Sequence, residues 1–335
     1  MELLVTGGYE DGSGECFVDR VDPSGRRERV VSFTPPETHR VPNKGFTGAA
    51  WLDGDLLVCS FDAVWRFGQN GKLLGRIHQP DANDLHDVAV LANGRIAVCN
   101  TGLDAVDLFD ADGRFVGRCA FTPAWFEAER QRGFAVDRAD FPQVLRAGWS
   151  SQAMARFVRP EGGYYSGADA QPFHRRKVRD YLHPNRVVEF AGRLAVTMLA
   201  TCEVRCARSF ERLAEIPGHP HDGVVLDGRL FVTTTDGRIV AVCDDGSLEV
   251  VVDTAHTGHS GWCRGLAVAR DCIAVGLSEI RRSPRFTWKG PPFRETETSV
   301  LWLDRSGSLQ AQVDLTDRER QSKVFTLLEP ISGWR

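Results

Sequence analysis

The sequence predicts an all-β fold: a six-bladed β-propeller closed by strands from both ends of the chain. Three observations predict it. Helical periodicity is scarce, and β-rich runs of about five to seven residues recur between turn residues. Two kinds of turn repeat. One is a pair before a new strand: Ser24-Gly25, Asn70-Gly71, Asp112-Gly113, Asp245-Gly246 and Ser306-Gly307. Such pairs supply the positive φ that two-residue hairpins of type I′ need. The other is a glycine between two apolar strands: Gly54, Gly94, Gly192 and Gly228. The spacing is the third observation. Gly54 to Gly94 is 40 residues and Asn70-Gly71 to Asp112-Gly113 is 42, a period of four strands per unit.

Taken in order, the first blade combines N-terminal strands at 2–7, 15–21 and 28–33 with a C-terminal strand at 323–328. That closure protects the edges an open ring would leave. Blade two is about 46–80, blade three 84–119, blade four 183–216, blade five 219–253 and blade six 262–315. Two stretches break the repeat. Residues 121–180 include a helix-like piece at 123–130 and the basic run 174–177, and residues 281–297 interrupt blade six. Long non-repeat segments of this kind serve as lids or binding loops. Three units would also fill the 133 residues from Asp112-Gly113 to Asp245-Gly246, giving a seventh blade. The lack of period-2 alternation in 121–180 argues against it. A pair of β-sandwiches is the other all-β alternative.

Composition bounds the function. The 335 residues form one propeller domain, with a balance of apolar and charged residues that excludes a disordered chain. No run approaches the ~18 apolar residues of a membrane span. Residues 1–8 are too short and too acidic for a signal peptide. A net charge of −4 gives no electrostatic case for nucleic acid or an anionic membrane. Nine cysteines, an odd count set mostly in apolar runs, suit buried free thiols in a cytoplasmic protein. The sequence leaves the oligomeric state open.

The first strands of the blades carry the chemistry. Blade three opens Leu85-His86-Asp87, blade four Leu182-His183-Pro184-Asn185-Arg186, blade five Pro220-His221-Asp222 and blade six Trp262-Cys263-Arg264. First strands line a propeller's channel, so His86, His183 and His221 are expected to converge there as metal ligands, with Cys263 beside them. Three imidazoles with an open position suit a divalent metal, zinc first, iron or copper otherwise. Asp87 and Asp222 are expected to orient imidazoles or move protons. Arg186 and Arg264 are expected to grip an anionic group. The competing reading of each is structural: a residue repeated at one blade position that satisfies buried backbone groups of the next blade. His219, His256 and His259 are weaker ligand candidates, and His39, His78 and His174 are expected at the surface. Cys202 and Cys206 form a C-x3-C pair with no second pair, a poor zinc motif. The basic segment 281–289, with Phe286 and Trp288, is either a cover for an anionic substrate or a solvated loop.

From about residue 84 onward the chain resembles an uncharacterised bacterial propeller family. The stretches that carry this are Leu85-His86-Asp87-Val88-Ala89, Leu182-His183-Pro184-Asn185, His221-Asp222-Gly223, Arg264-Gly265-Leu266-Ala267 and the end from Val324 to Pro330. The resemblance implies the fold and the histidine positions but no reaction, and the 121–180 stretch departs from it. A looser analogy is the peptidyl-hydroxyglycine lyase propeller, with three histidines on zinc in its channel, although its motifs are not matched. The expected function is a metal-dependent lyase or hydrolase acting on a small molecule or peptide, or an oxidoreductase with iron or copper. The alternative is a non-catalytic ligand-binding or scaffolding propeller.

Overall fold

The computed structural model describes residues 1–121, 182–280 and 296–334. The helix-like piece, the basic run at 174–177 and the segment 281–289 lie outside these residues. Six four-stranded antiparallel sheets form the blades. Blade one joins β1 (Leu3–Tyr9), β2 (Cys16–Val21) and β3 (Arg27–Phe33) to β24 (Ser322–Leu328). Blade two is β4 (Ala49–Leu52), β5 (Asp55–Cys59), β6 (Ala63–Phe67) and β7 (Leu73–His78). Blade three is β8 (Leu85–Val90), β9 (Ile96–Asn100), β10 (Ala105–Phe109) and β11 (Phe115–Ala120). Blade four is β12 (Pro184–Phe190), β13 (Arg193–Met198), β14 (Glu203–Cys206) and β15 (Arg212–Glu215). Blade five is β16 (Pro220–Leu226), β17 (Arg229–Thr234), β18 (Arg238–Val242) and β19 (Leu248–Asp253). Blade six is β20 (Trp262–Val268), β21 (Cys272–Ser278), β22 (Ser299–Asp304) and β23 (Leu309–Asp314).

The innermost strands β24, β4, β8, β12, β16 and β20 pack side by side around the whole ring. Because β8 meets β12 directly, no seventh blade stands between blades three and four. Among the described residues there is no α-helix, only short 3₁₀ turns.

The second strand of each blade, counted from the channel, is buried on both faces over most of its length, which explains its largely apolar run. In β5, Leu56 and Val58 enter the core between blades one and two, while Leu57 and Cys59 enter the core between blades two and three. Every adjacent pair of blades shares one such core. A polar tie also crosses each interface. Thr326 donates to Thr47 O (2.9 Å), Thr47 to Leu85 O (2.6 Å) and Ser278 to Val324 O (2.8 Å). Asn185 donates to Pro220 O (3.2 Å). Asp87 accepts from Val187 N (2.9 Å), and Asp222 from Gly265 N (2.7 Å).

The two turn types exchange their expected roles except at Gly94, whose N–H reaches Leu91 O (2.8 Å) as in the Asp112-Gly113 group. At Asp53-Gly54, Ala191-Gly192 and Asp227-Gly228 both residues have positive φ, so these are the type I′ hairpins. In the Asp112-Gly113 group only the glycine is left-handed. Its N–H reaches back to a carbonyl three residues earlier, as from Gly113 to Asp110 (3.0 Å). That is a type I turn followed by a bulge, and the aspartate at the turn's start accepts neighbouring N–H groups.

Candidate functional site

His86 lies in β8 and His221 in β16, with His183 just before β12 between them. Their rings converge: His86 is 4.8 Å from His183 and 6.3 Å from His221, centroid to centroid. His86 and His221 are buried, and His183 is half-buried. The three do not share one register. Leu85 pairs with Asn100, Pro184 with Met198 and Pro220 with Thr234, so Asn185 holds the blade-four place that His86 and His221 hold in theirs. His183 reaches the cluster from two residues upstream. It has a left-handed backbone (φ 55), which is costly for a residue with a Cβ. Asp104 holds it there, one carboxylate oxygen accepting from Leu182 N (2.9 Å) and His183 N (3.0 Å).

The tautomers follow from the partners. His86 Nδ1 lies 2.9 Å from the Asp84 carbonyl, which can only accept, so Nδ1 carries the proton and Nε2 the lone pair. His221 Nδ1 lies 3.1 Å from Asp222 Oδ2 and is fixed the same way. Burial pushes the His221 pKa down, and Arg264 and Lys44 add to this against the pull of Asp222. Asp222 would be raised by burial, but His221, Arg186 and the Gly265 N–H outweigh it and hold the carboxyl below its ordinary value. The pair is therefore neutral imidazole against carboxylate.

A pH dependence follows. The unfolded chain protonates its histidine at the ordinary 6.5, before the folded chain protonates His221. Stability from this group is complete above that value and is lost as pH falls below it. The thermal midpoint is expected to fall between about pH 7 and 5, and His221→Gln should flatten that slope. An unchanged slope in the variant would show that other groups carry it.

Arg264 lies between two aromatic faces, 4.3 Å from the Trp262 centroid and 4.7 Å from that of Phe325. Lys44 pairs with Asp84 and Lys323 with Glu10. Burial pushes the Lys323 amine down to about 8 against the pull of Glu10, and Arg264 and Lys44 push it the same way. Arg264 and Lys44 thus act on both Lys323 and His221. Sequence reasoning missed Lys44, Asp84, Asp104 and Lys323. Asp104 repeats Asp62 of blade two, 42 residues earlier, but the meeting of these groups is visible only once the ring closes.

Two site candidates take other places than expected. In blades three to five the bulge falls at the place of His86 and His221, but in blade six it falls at Gly265, which is left-handed. Cys263 is a regular strand residue, buried with the apolar core between blades five and six. Arg186 Nη1 binds Asp87 Oδ1 (2.8 Å) and its Nε donates to Gly223 O (2.9 Å), so these contacts make it a strut joining blades three, four and five. Asp87 is correspondingly a tie between blades. Burial pushes its carboxyl up to about 7, against the pull of Arg186 and the Val187 N–H. His39, expected at the surface, is buried against Asp62. All nine cysteines are free thiols. No helix among the described residues is long and apolar enough to cross a membrane.

No protein-family model and no curated protein matches the chain. Solved structures do. The chain resembles a protein of unknown function from Bacteroides caccae at 14% identity and TM-score 0.61, covering 97% of each chain. A chain of a nidogen/laminin complex matches at 10% identity and TM-score 0.56 over 99% of each. A streptogramin B lyase structure matches at 12% identity and TM-score 0.48, over 86% of this chain and 73% of that one. The first two likenesses bear on the fold alone, which a propeller shares among unrelated functions.

Proposed function

We propose that this propeller is an enzyme with its active centre at the channel mouth of blades three to five. It would act on a small molecule or peptide bearing an anionic group, by lyase or hydrolase chemistry, with a divalent metal held by His86, His183 and His221. The supporting observation is the convergence of the three rings together with the tautomer of His86 and His221, each giving Nδ1 to a carbonyl or carboxylate so that Nε2 carries the lone pair. Zinc suits three imidazoles, and iron or copper would turn the chemistry to redox. One ring has to move. The three sets of ring nitrogens do not all come within 4.8 Å of one another. Ligands about 2.0–2.1 Å from an ion must lie closer than that. The half-buried His183 is the ring placed to do so. A bound metal would polarise a substrate oxygen or activate water. Arg264 and Lys44 would hold the anionic group, and Asp222 keeps the His221 tautomer. The free thiols suit the cytoplasm as its compartment.

Protein purified without an affinity tag is expected to carry metal. His86→Ala, His183→Ala and His221→Ala should each remove about one metal equivalent per chain while circular dichroism stays unchanged. Wild-type protein without metal, or variants that keep the full wild-type metal content, would overturn the reading. The position of Asp87 favours a second reading, ligand binding without chemistry. The carboxylate expected to move protons is locked between blades. Metal-free protein that still binds anionic ligands at Arg264 would favour that reading.

A further inference from the structure

We propose a second metal site at the rim of blade two, formed by His39, Asp62 and His78 and taking a divalent transition metal such as zinc. His39 lies in the connection from β3 to β4, Asp62 in the turn from β5 to β6, and His78 ends β7. Among the described residues, this is the one group of three whose ligand atoms all lie within 4.8 Å of one another. Residues distant in sequence meet here only because the strands of blade two pair in register, with Ala63 opposite His78.

The side chains are oriented for this. His78 Nδ1 donates to the Asp62 carbonyl (3.0 Å), which leaves its Nε2 as the lone-pair nitrogen. His39 and His78 stand edge to face, 5.0 Å apart. His39 Nδ1 is 2.9 Å from Asp62 Oδ2. His39 and Asp62 are buried while His78 is exposed, so the site has a fixed floor and an open entrance. Trp65 packs beneath, edge to face with His39 at 5.7 Å. Two imidazoles and one carboxylate leave positions open on an ion, as in a reactive rather than a purely structural centre.

A cation already competes for this place. The Arg76 guanidinium contacts His39 Nε2 and lies over Trp65 at 5.9 Å. A metal taking the Nδ1 position replaces the proton shared with Asp62. That proton moves to Nε2, the imidazole stays neutral, and Nε2–H then faces the Arg76 N–H donors. Arg76 must withdraw, so it sets the affinity of the site.

The test uses the His86→Ala/His221→Ala protein stripped of metal, so that failure of the channel reading and failure of this one are separate results. Zinc alone is titrated calorimetrically, and cobalt is followed by its visible bands. About one zinc per chain is expected to bind. Asp62→Asn and His78→Ala should each weaken binding roughly tenfold or more, and Arg76→Gln should tighten it by a similar factor. His78 is exposed, so its variant leaves the fold intact if His39→Ala does not. The proposal is overturned if neither this protein nor its Arg76→Gln form takes up zinc, or if Asp62→Asn and His78→Ala bind as before.

Discussion

A chain ending at Ser322 is expected not to accumulate as soluble folded protein. β24 is the innermost strand of blade one, although it comes from the far end of the chain. It pairs with β1 along its length, Leu4 opposite Leu328 and Gly8 opposite Lys323. Val324, Phe325 and Leu327 are buried. At about 1.5–3 kcal/mol for each large apolar side chain, their loss costs roughly 5–9 kcal/mol. That is comparable to a whole domain's stability of about 5–15 kcal/mol. The cut also removes the ties to Ser278 and Thr47, strips β1 of its channel-side partner, and leaves β4 and β20 each without one of its two inner-strand neighbours. A complementary experiment separates closure from chain length. Leu328 lies opposite Leu4, so the end of β24 is beside the start of β1. A circular permutant that joins Trp334 to Met1 through a short flexible linker and opens the chain between β23 and β24 keeps every pairing. It is expected to fold. A soluble, cooperatively melting truncation would refute the closure.

How far the sequence discloses this molecule depends on what each residue's role requires. Blade boundaries were legible because a strand buried on both faces must be apolar throughout and must end at a turn. The period of Gly54 and Gly94, and of Asn70-Gly71 and Asp112-Gly113, marks those turns directly. The conformations of the two turns were not legible. Asp53-Gly54 and Asp112-Gly113 are the same dipeptide chemistry, and it is the backbone that tells them apart: Asp53 is left-handed, whereas before Gly113 the aspartate is not and the glycine N–H reaches back to Asp110. The histidine cluster was legible as far as residue type. Its register was not, because a bulge displaces a side chain by one place without leaving a mark in composition. That displacement sent Cys263 into the core, while His183 comes in from two residues upstream through its left-handed backbone, held by Asp104. His39, Asp62 and His78 were opaque for a related reason. Each sits at the end of a different element, outside the repeat that drew attention to the others.

Asp87→Ala is expected to be among the most destabilising single substitutions in the protein, and it also decides what Asp87 does. The carboxylate accepts from Arg186 and from Val187 N, and both its residue and the Arg186 side chain are largely out of solvent. Removing it leaves a buried guanidinium without its counter-charge and a buried N–H without an acceptor. Breaking one partner of a buried ion pair costs about 3–5 kcal/mol. For a chain of this size the thermal midpoint should drop on the order of 4–7 °C. Asp87→Asn retains an acceptor for Val187 N and should cost clearly less. The double variant Asp87→Ala/Arg186→Met, which removes both charges, should recover part of the loss. These outcomes identify a tie between blades three and four. A proton carrier behaves differently: Asp87→Asn would leave the midpoint near that of the wild type, and turnover of whatever substrate the channel takes would fall with it. The geometry favours the first pattern, because Asp87 and Arg186 join β8 to β12 at the point where the chain returns from residue 121 to residue 182. That interface is closed by a connection rather than by an adjacent turn. A strong buried tie there holds the ring together, and it keeps His86 and His183 facing each other across the same pair of strands.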